Sequence, residues 1–89
     1  MDFLEEDEFN ERFRQRLTTI RKELKWSQQV MADNLGIQRE TYKKYEYRSA
    51  FPLYLLPRLI GATEQPYSYW IYGQGKSTGH LHLLRGRPR

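Results

Sequence analysis

Trp26-Ser27-Gln28-Gln29-Val30-Met31-Ala32-Asp33-Asn34-Leu35-Gly36-Ile37-Gln38-Arg39-Glu40-Thr41-Tyr42-Lys43-Lys44-Tyr45-Glu46 is the stretch on which the reading of this chain turns. Ser27 is placed to cap a helix, since its hydroxyl can accept from an orphan backbone N–H. Trp26 before the cap and Met31 four positions into the helix fit a hydrophobic staple. Met31, Ala32 and Leu35 give that helix its apolar face. Gly36 ends it as a left-handed C-cap. After Ile37 a further helix is expected over about Gln38 to Tyr47. Its Tyr42 and Tyr45 face the core, and Gln38, Arg39, Glu40, Lys43 and Lys44 face out.

On the N-terminal side, Phe9, Phe13, Leu17, Ile20 and Leu24 recur at helical steps. They predict an amphipathic helix over about residues 6–24, with Arg12, Arg14, Arg16, Arg21 and Lys22 on its other faces. On the C-terminal side, Leu55, Leu56, Leu59 and Ile60 mark a helix over roughly Leu53 to Thr63. Pro57 must fall within its first turns, where a missing N–H costs least. A short helix over about Tyr67 to Tyr72 is expected to bury Trp70 and Ile71 and to stop at Gly73. Residues 74–79, Gln-Gly-Lys-Ser-Thr-Gly, read as a flexible linker. No segment sustains a strand period, so the fold class is all-α. The expected organisation is an acidic lead over 1–11, a domain over 12–73 and a flexible basic tail over 74–89.

The chain has 89 residues, enough for one small domain, with a net charge of +4 and no cysteine. At this size only about 60–65% of the unfolded surface is hidden, so the core must be compact. Lack of cysteine excludes a disulfide scaffold, thiolate catalysis and a Cys-based zinc finger. No apolar run approaches the roughly 20 residues of a membrane span. The acidic start is neither a secretory signal nor an Arg-rich transit peptide. A reducing, cytoplasmic and nucleoid-associated location is therefore expected. Charge is unevenly laid: −6 over residues 1–11, +7 over 12–58, −1 over 59–73 and +4 over 74–89. A basic middle and a basic end on a small chain suit a polyanion partner. Acids at the start of the first helix suit its dipole, or serve to repel DNA or dock a basic partner.

Helix, glycine turn and helix within about 20 residues is the helix-turn-helix signature. A small Ala32 lets the two helices cross closely, and Tyr42 and Tyr45 pin the second by its inner face. Its outer face is left free for a major groove, which is wide enough for one helix. Residues 12–73 resemble the Cro/cI-type (XRE-like) helix-turn-helix family of phage and bacterial regulators. The matching segments are Arg16-Leu17, Ile20-Arg21, Trp26-Ser27-Gln28, Ala32, Leu35-Gly36-Ile37, Tyr45-Glu46, Pro52, Leu59 and Trp70-Ile71-Tyr72-Gly73, in order and with the family's spacing. The resemblance implies a five-helix, lambda-repressor-like domain that regulates transcription, as a repressor, by binding double-stranded DNA as a homodimer on a palindromic operator.

It also implies roles. Gln28 contacts a phosphate while bracing the recognition helix, and Ser27 opens a helix N-terminus that offers backbone N–H groups to phosphate. Arg39, Glu40 and Lys44 take the base-reading positions, with Gln38, Thr41 and Lys43 flanking them. Arg39 suits guanine and Glu40 suits the cytosine amino group. Arg48 is a phosphate clamp. Arg21 and Glu46 form a structural pair. Three departures stand out: Gln38 replaces the usual capping Ser or Thr, Tyr47-Arg48-Ser49 replaces an Asn-Gly-type turn, and Glu40 puts an acid on the reading face. Glu40 leaves a second reading open, an antitoxin or protein-interaction module on the same fold.

Near the end of the chain Arg85-Gly86-Arg87-Pro88 resembles an AT-hook core, and Arg85, Arg87 and the adjoining Arg89 are minor-groove candidates. A generic basic terminus is the other reading. His80 and His82 have no further ligands nearby, so no metal and no cofactor is expected. No nucleophile, base and orienting group fall together, and the chain is not expected to be an enzyme. The last helix, with Tyr67, Tyr69, Trp70 and Tyr72, is expected to be mostly core, and its exposed remainder is the candidate dimer patch.

Overall fold

The computed structural model describes residues 4–77 of the 89. Over this range the chain is all-α, with no strand among the described residues. The elements are α1 (Glu6–Glu23), α2 (Gln28–Leu35), α3 (Arg39–Tyr47), a 3₁₀ turn (Leu53–Leu55), α4 (Leu56–Thr63) and α5 (Tyr67–Tyr72). Each boundary lies within a residue or so of the sequence expectation. The exception is the start of the fourth helix, where Leu53–Leu55 wind as a 3₁₀ turn and Pro57 sits in the first turn of α4.

α1 carries Glu6, Asp7 and Glu8 in its first turn and Arg21 and Lys22 in its last. Both sets oppose the helix dipole with the favourable sign. The Ser27 hydroxyl accepts from the Val30 N–H at 3.1 Å and caps α2. Gly36 closes α2 at φ +73°. The Ile37 N–H there returns to the Ala32 carbonyl at 3.0 Å, satisfying an orphan acceptor of the last turn. α3 has no side-chain cap on Gln38, as that residue's poor capping chemistry suggests. It ends without glycine. The amides of Arg48 and Ser49 both donate to the Lys44 carbonyl at 2.8 Å.

One core joins all five helices. Phe13, Leu17, Ile20 and Leu24 meet Met31, Ala32 and Leu35 of α2, Tyr42 of α3, Leu56 and Leu59 of α4, and Tyr69 and Trp70 of α5. Ala32 is fully buried, as close crossing of α2 and α3 requires. Aromatic rings bind the far end: Phe13 lies 5.1 Å from Phe51 and 5.6 Å from Trp70, and Tyr69 meets Trp70 edge-on at 5.2 Å. Such pairs contribute about 0.5–1.5 kcal/mol beyond area burial. Tyr42 is buried, whereas Tyr45 is half-buried and packs edge-on against Phe51.

Two expectations are corrected. Ile71 is only half-buried, because α5 is too short to turn more than one face inward and Tyr69 and Trp70 fill it. Residues 74–77 are not a loose linker. The buried Gln65 carboxamide holds Ser77 by both backbone groups, donating to its carbonyl at 2.8 Å and accepting from its N–H at 2.7 Å. Lys76 reaches Glu23 of α1 at 2.6 Å, and the Ser68 hydroxyl donates to the Gln74 carbonyl at 3.0 Å. The fold therefore extends to Ser77. The expected tail beyond it, with His80, His82, Arg85, Arg87 and Arg89, lies outside the described residues.

Candidate nucleic-acid interface

α3 is held from behind by one buried carboxylate. Glu46 accepts from Arg21 Nε at 2.6 Å and Nη2 at 3.1 Å, from Gln28 Nε2 at 3.1 Å, and from the Tyr42 hydroxyl. Arg21 spends its remaining fork nitrogen on the Trp26 carbonyl at 2.9 Å, at the turn into α2. One acid thus ties α1, α2 and α3. Burial alone would raise the Glu46 carboxyl, but hydrogen bonds from Arg21, Tyr42 and Gln28 outweigh it and hold the group below its ordinary value. Arg21 is correspondingly raised, chiefly by its bond to Glu46. The Tyr42 phenol is pushed far up, first by burial and then by the same carboxylate. Gln28 thus bonds the carboxylate that anchors α3, and Arg21 pairs with the same carboxylate.

In front, Gln38, Arg39, Glu40, Lys43, Lys44, Tyr47 and Arg48 are all exposed, while Thr41 is half-buried. Glu40, Lys43, Lys44 and Tyr47 recur at helical spacing, so they share one face of α3. With Gln28, Glu46 and Arg48 they line an open groove of about 620 Å³ between α2 and α3. Glu40 bonds Arg39 at 2.8 Å and stands 3.6 Å from Lys43. The exposed charge of this face is four cations, Arg39, Lys43, Lys44 and Arg48, against the one carboxylate of Glu40. Ser27 lies outside the groove, exposed at the start of α2.

Three residues of consequence escape the sequence reading. Tyr47 lines this groove and also a second one with Arg14, Thr18 and Thr19 of α1, and is 79% exposed. Its spacing from Lys43 and Lys44 is the signal that could have found it. Arg58 of α4 donates to the Leu35 carbonyl at 2.9 Å. Arg16 of α1 donates to the Trp70 carbonyl at 2.9 Å. Each guanidinium lies against a left-handed glycine, with a nitrogen 3.0 Å (Gly36) or 2.9 Å (Gly73) from where a β-carbon would sit. Nothing local marks these pairings, since the partners are 23 and 54 residues apart.

Among the described residues no group of three or more His, Asp or Glu side chains comes together to hold a metal ion. No helix there is long and apolar enough to cross a membrane. No family model, curated protein or solved structure matches the chain.

Proposed function

We propose that the chain is a sequence-specific DNA-binding regulator of transcription, a repressor of the Cro/cI-type helix-turn-helix kind, with α2 and α3 as the motif. The observation that carries this reading is the two-sided character of α3. Its inner face is locked by Tyr42 and by Glu46 with its three donors. Its outer face is largely exposed, with Lys43, Lys44 and Arg48 lining the groove it forms with α2 and Arg39 exposed beside it. A rigid helix with a free basic face is what insertion into a major groove requires.

In this reading Arg39, Glu40 and Lys44 read base edges, with Gln38 and Lys43 beside them and the half-buried Thr41 at the margin. Arg39 and Glu40 already touch each other, so each must exchange that contact for a base. A guanine beside a cytosine on the opposite strand satisfies both. Ser27, Gln28 and Arg48 take phosphates. A nine-residue helix reads only a few base pairs, and two copies on half-sites one helical turn apart supply the rest.

Fluorescence anisotropy with a mixed-sequence duplex tests the charge side of this proposal. Arg48→Ala should weaken binding uniformly across sequences and reduce the slope of log K against log salt by about 1 per copy. Lys76→Ala, a cation bound to Glu23, should leave both nearly unchanged. Equal effects of the two substitutions would contradict the assigned face.

A further inference from the structure

Tyr47 ends α3 with 79% of its surface exposed, an aromatic ring on a face otherwise made of charge. The ring is a ridge between two grooves. On one side lie Lys43, Lys44 and Arg48, in the groove of about 620 Å³ that α3 forms with α2. On the other, a groove of about 330 Å³ runs to Gln15, Thr18 and Thr19 of α1. That second groove sets the carboxylates of Glu11 and Glu46 against Arg14 alone, whereas the first sets three cations against Glu40 and the same Glu46. A polyanion that reaches Tyr47 is therefore drawn to the side of the cations. Tyr47 lies seven residues beyond Glu40, which is about 10 Å along the helix axis. The major groove is about 12 Å wide. A helix whose first turn meets base edges thus brings its last turn to the groove's wall, where sugar and phosphate lie.

We propose that Tyr47 clamps the DNA backbone, its ring packed on a deoxyribose and its hydroxyl donating to the adjacent phosphate oxygen. The surroundings select this occupant. An exposed ring flanked by cations matches a ligand in which apolar and anionic groups alternate at close range. A sugar–phosphate strand does this at every nucleotide, with one charge per about 3.4 Å of helix rise. A base edge offers the ring only a thymine methyl, and only to a residue deep in the groove. Tyrosine hydroxyls are ordinary donors to phosphate, and such contacts fix register and orientation without reading sequence. Arg48 beside it supplies charge, and Tyr47 supplies position. It sets how deeply α3 sits, and Arg39, Glu40 and Lys44 read from that seat. This role rests on the DNA reading and adds to it a backbone contact that carries no charge.

Fluorescence anisotropy of the full chain, with the duplex it selects and with a mixed-sequence duplex, tests it. Tyr47→Phe removes only the hydroxyl and should weaken both complexes equally, by about three- to tenfold per copy bound. Tyr47→Ala removes the ring as well and should weaken both further. Neither should change the slope of log K against log salt, because a neutral donor releases no counterion. Both should keep the wild-type urea midpoint, since the side chain is exposed. Replacing phosphates one at a time by neutral methylphosphonate should reveal one position per half-site where the wild type loses more affinity than Tyr47→Phe does. Variants that bind like the wild type overturn the proposal. So does a Tyr47→Ala loss that alters preference at one base position, which would make the ring a reader of base edges. So does a fall in the salt slope, which would make it a prop for the neighbouring cations. If Arg39→Ala and Lys44→Ala weaken binding while the Tyr47 variants do not, this proposal alone fails. A wild type that binds neither duplex fails the DNA reading itself, and this role with it.

Discussion

Glu46 receives donors from three helices: Arg21 of α1, Gln28 of α2 and Tyr42 of α3. Removing one partner of such a buried pair strands the other, at a cost of about 3–5 kcal/mol. A chain of this size has about 4–13 kcal/mol of total stability. Glu46→Ala is thus expected to bring the fold close to unfolding, and Glu46→Gln, which keeps hydrogen-bonding atoms, to cost less; urea midpoints measure both. The pH dependence has a definite sign. A carboxyl held below its ordinary value of 4.5 in the folded chain stabilises the fold above that pH. That contribution is lost as pH falls through the lowered folded value. Wild-type stability should therefore drop more steeply below about pH 4.5 than that of Glu46→Gln; parallel acid-unfolding curves would contradict the account. Arg39 stands on the other side of the helix. Arg39→Ala should cost about 1–3 kcal/mol in binding to the preferred duplex and relax a single base position. The Arg21–Glu46 pair is expected only from a family resemblance and not from any local pattern. The Tyr42 and Gln28 bonds that complete it depend on how three helices pack, which no local pattern encodes.

Helix ends show where the sequence speaks and where it is silent. Gly36 and Gly73 mark the ends of α2 and α5, and both take the left-handed conformation that glycine permits. Lys25 and Glu64 take it too, at φ +61° and +58°, after α1 and α4. Neither is a glycine, so composition gives no sign there. Glycine substitutions separate these roles by sign. Gly36→Ala places a β-carbon 3.0 Å from Arg58 Nη1 at positive φ. It should destabilise by about 2 kcal/mol, from backbone strain and the displaced Arg58–Leu35 bond. Gly61 lies inside α4 with nothing within 4 Å of the added carbon. Gly61→Ala should stabilise by about 0.5–1 kcal/mol through helix propensity alone. Thermal unfolding of the two variants checks both signs. The strap over residues 74–77 reads as a linker in the sequence because Gly, Ser and Gln look the same whether loose or held. Its anchor, Gln65, is a polar side chain that could be recognised as buried only once the fold was known.

Across the whole molecule, two surfaces of opposite character emerge from one small core. The core itself was plain in the sequence, because Phe13, Leu17, Ile20, Leu35, Tyr42, Leu59 and Trp70 sit at helical periods and all are buried. The exposed face of α3 followed from the same periodicity. The apolar face around Leu53 did not, because a helix expected over Leu53 to Thr63 gives no sign that Leu53 winds into a 3₁₀ turn with its side chain exposed. Selection of bound duplexes from a randomised pool at near-physiological salt asks whether α3 reads DNA sequence. The wild type should enrich a palindrome with half-sites about one helical turn apart, and Arg39→Ala and Lys44→Ala should each alter the same half-site at different positions. Enrichment of nothing above background, or of one unchanged motif by all three chains, would contradict a reading role for α3 and turn attention to a protein partner for this face.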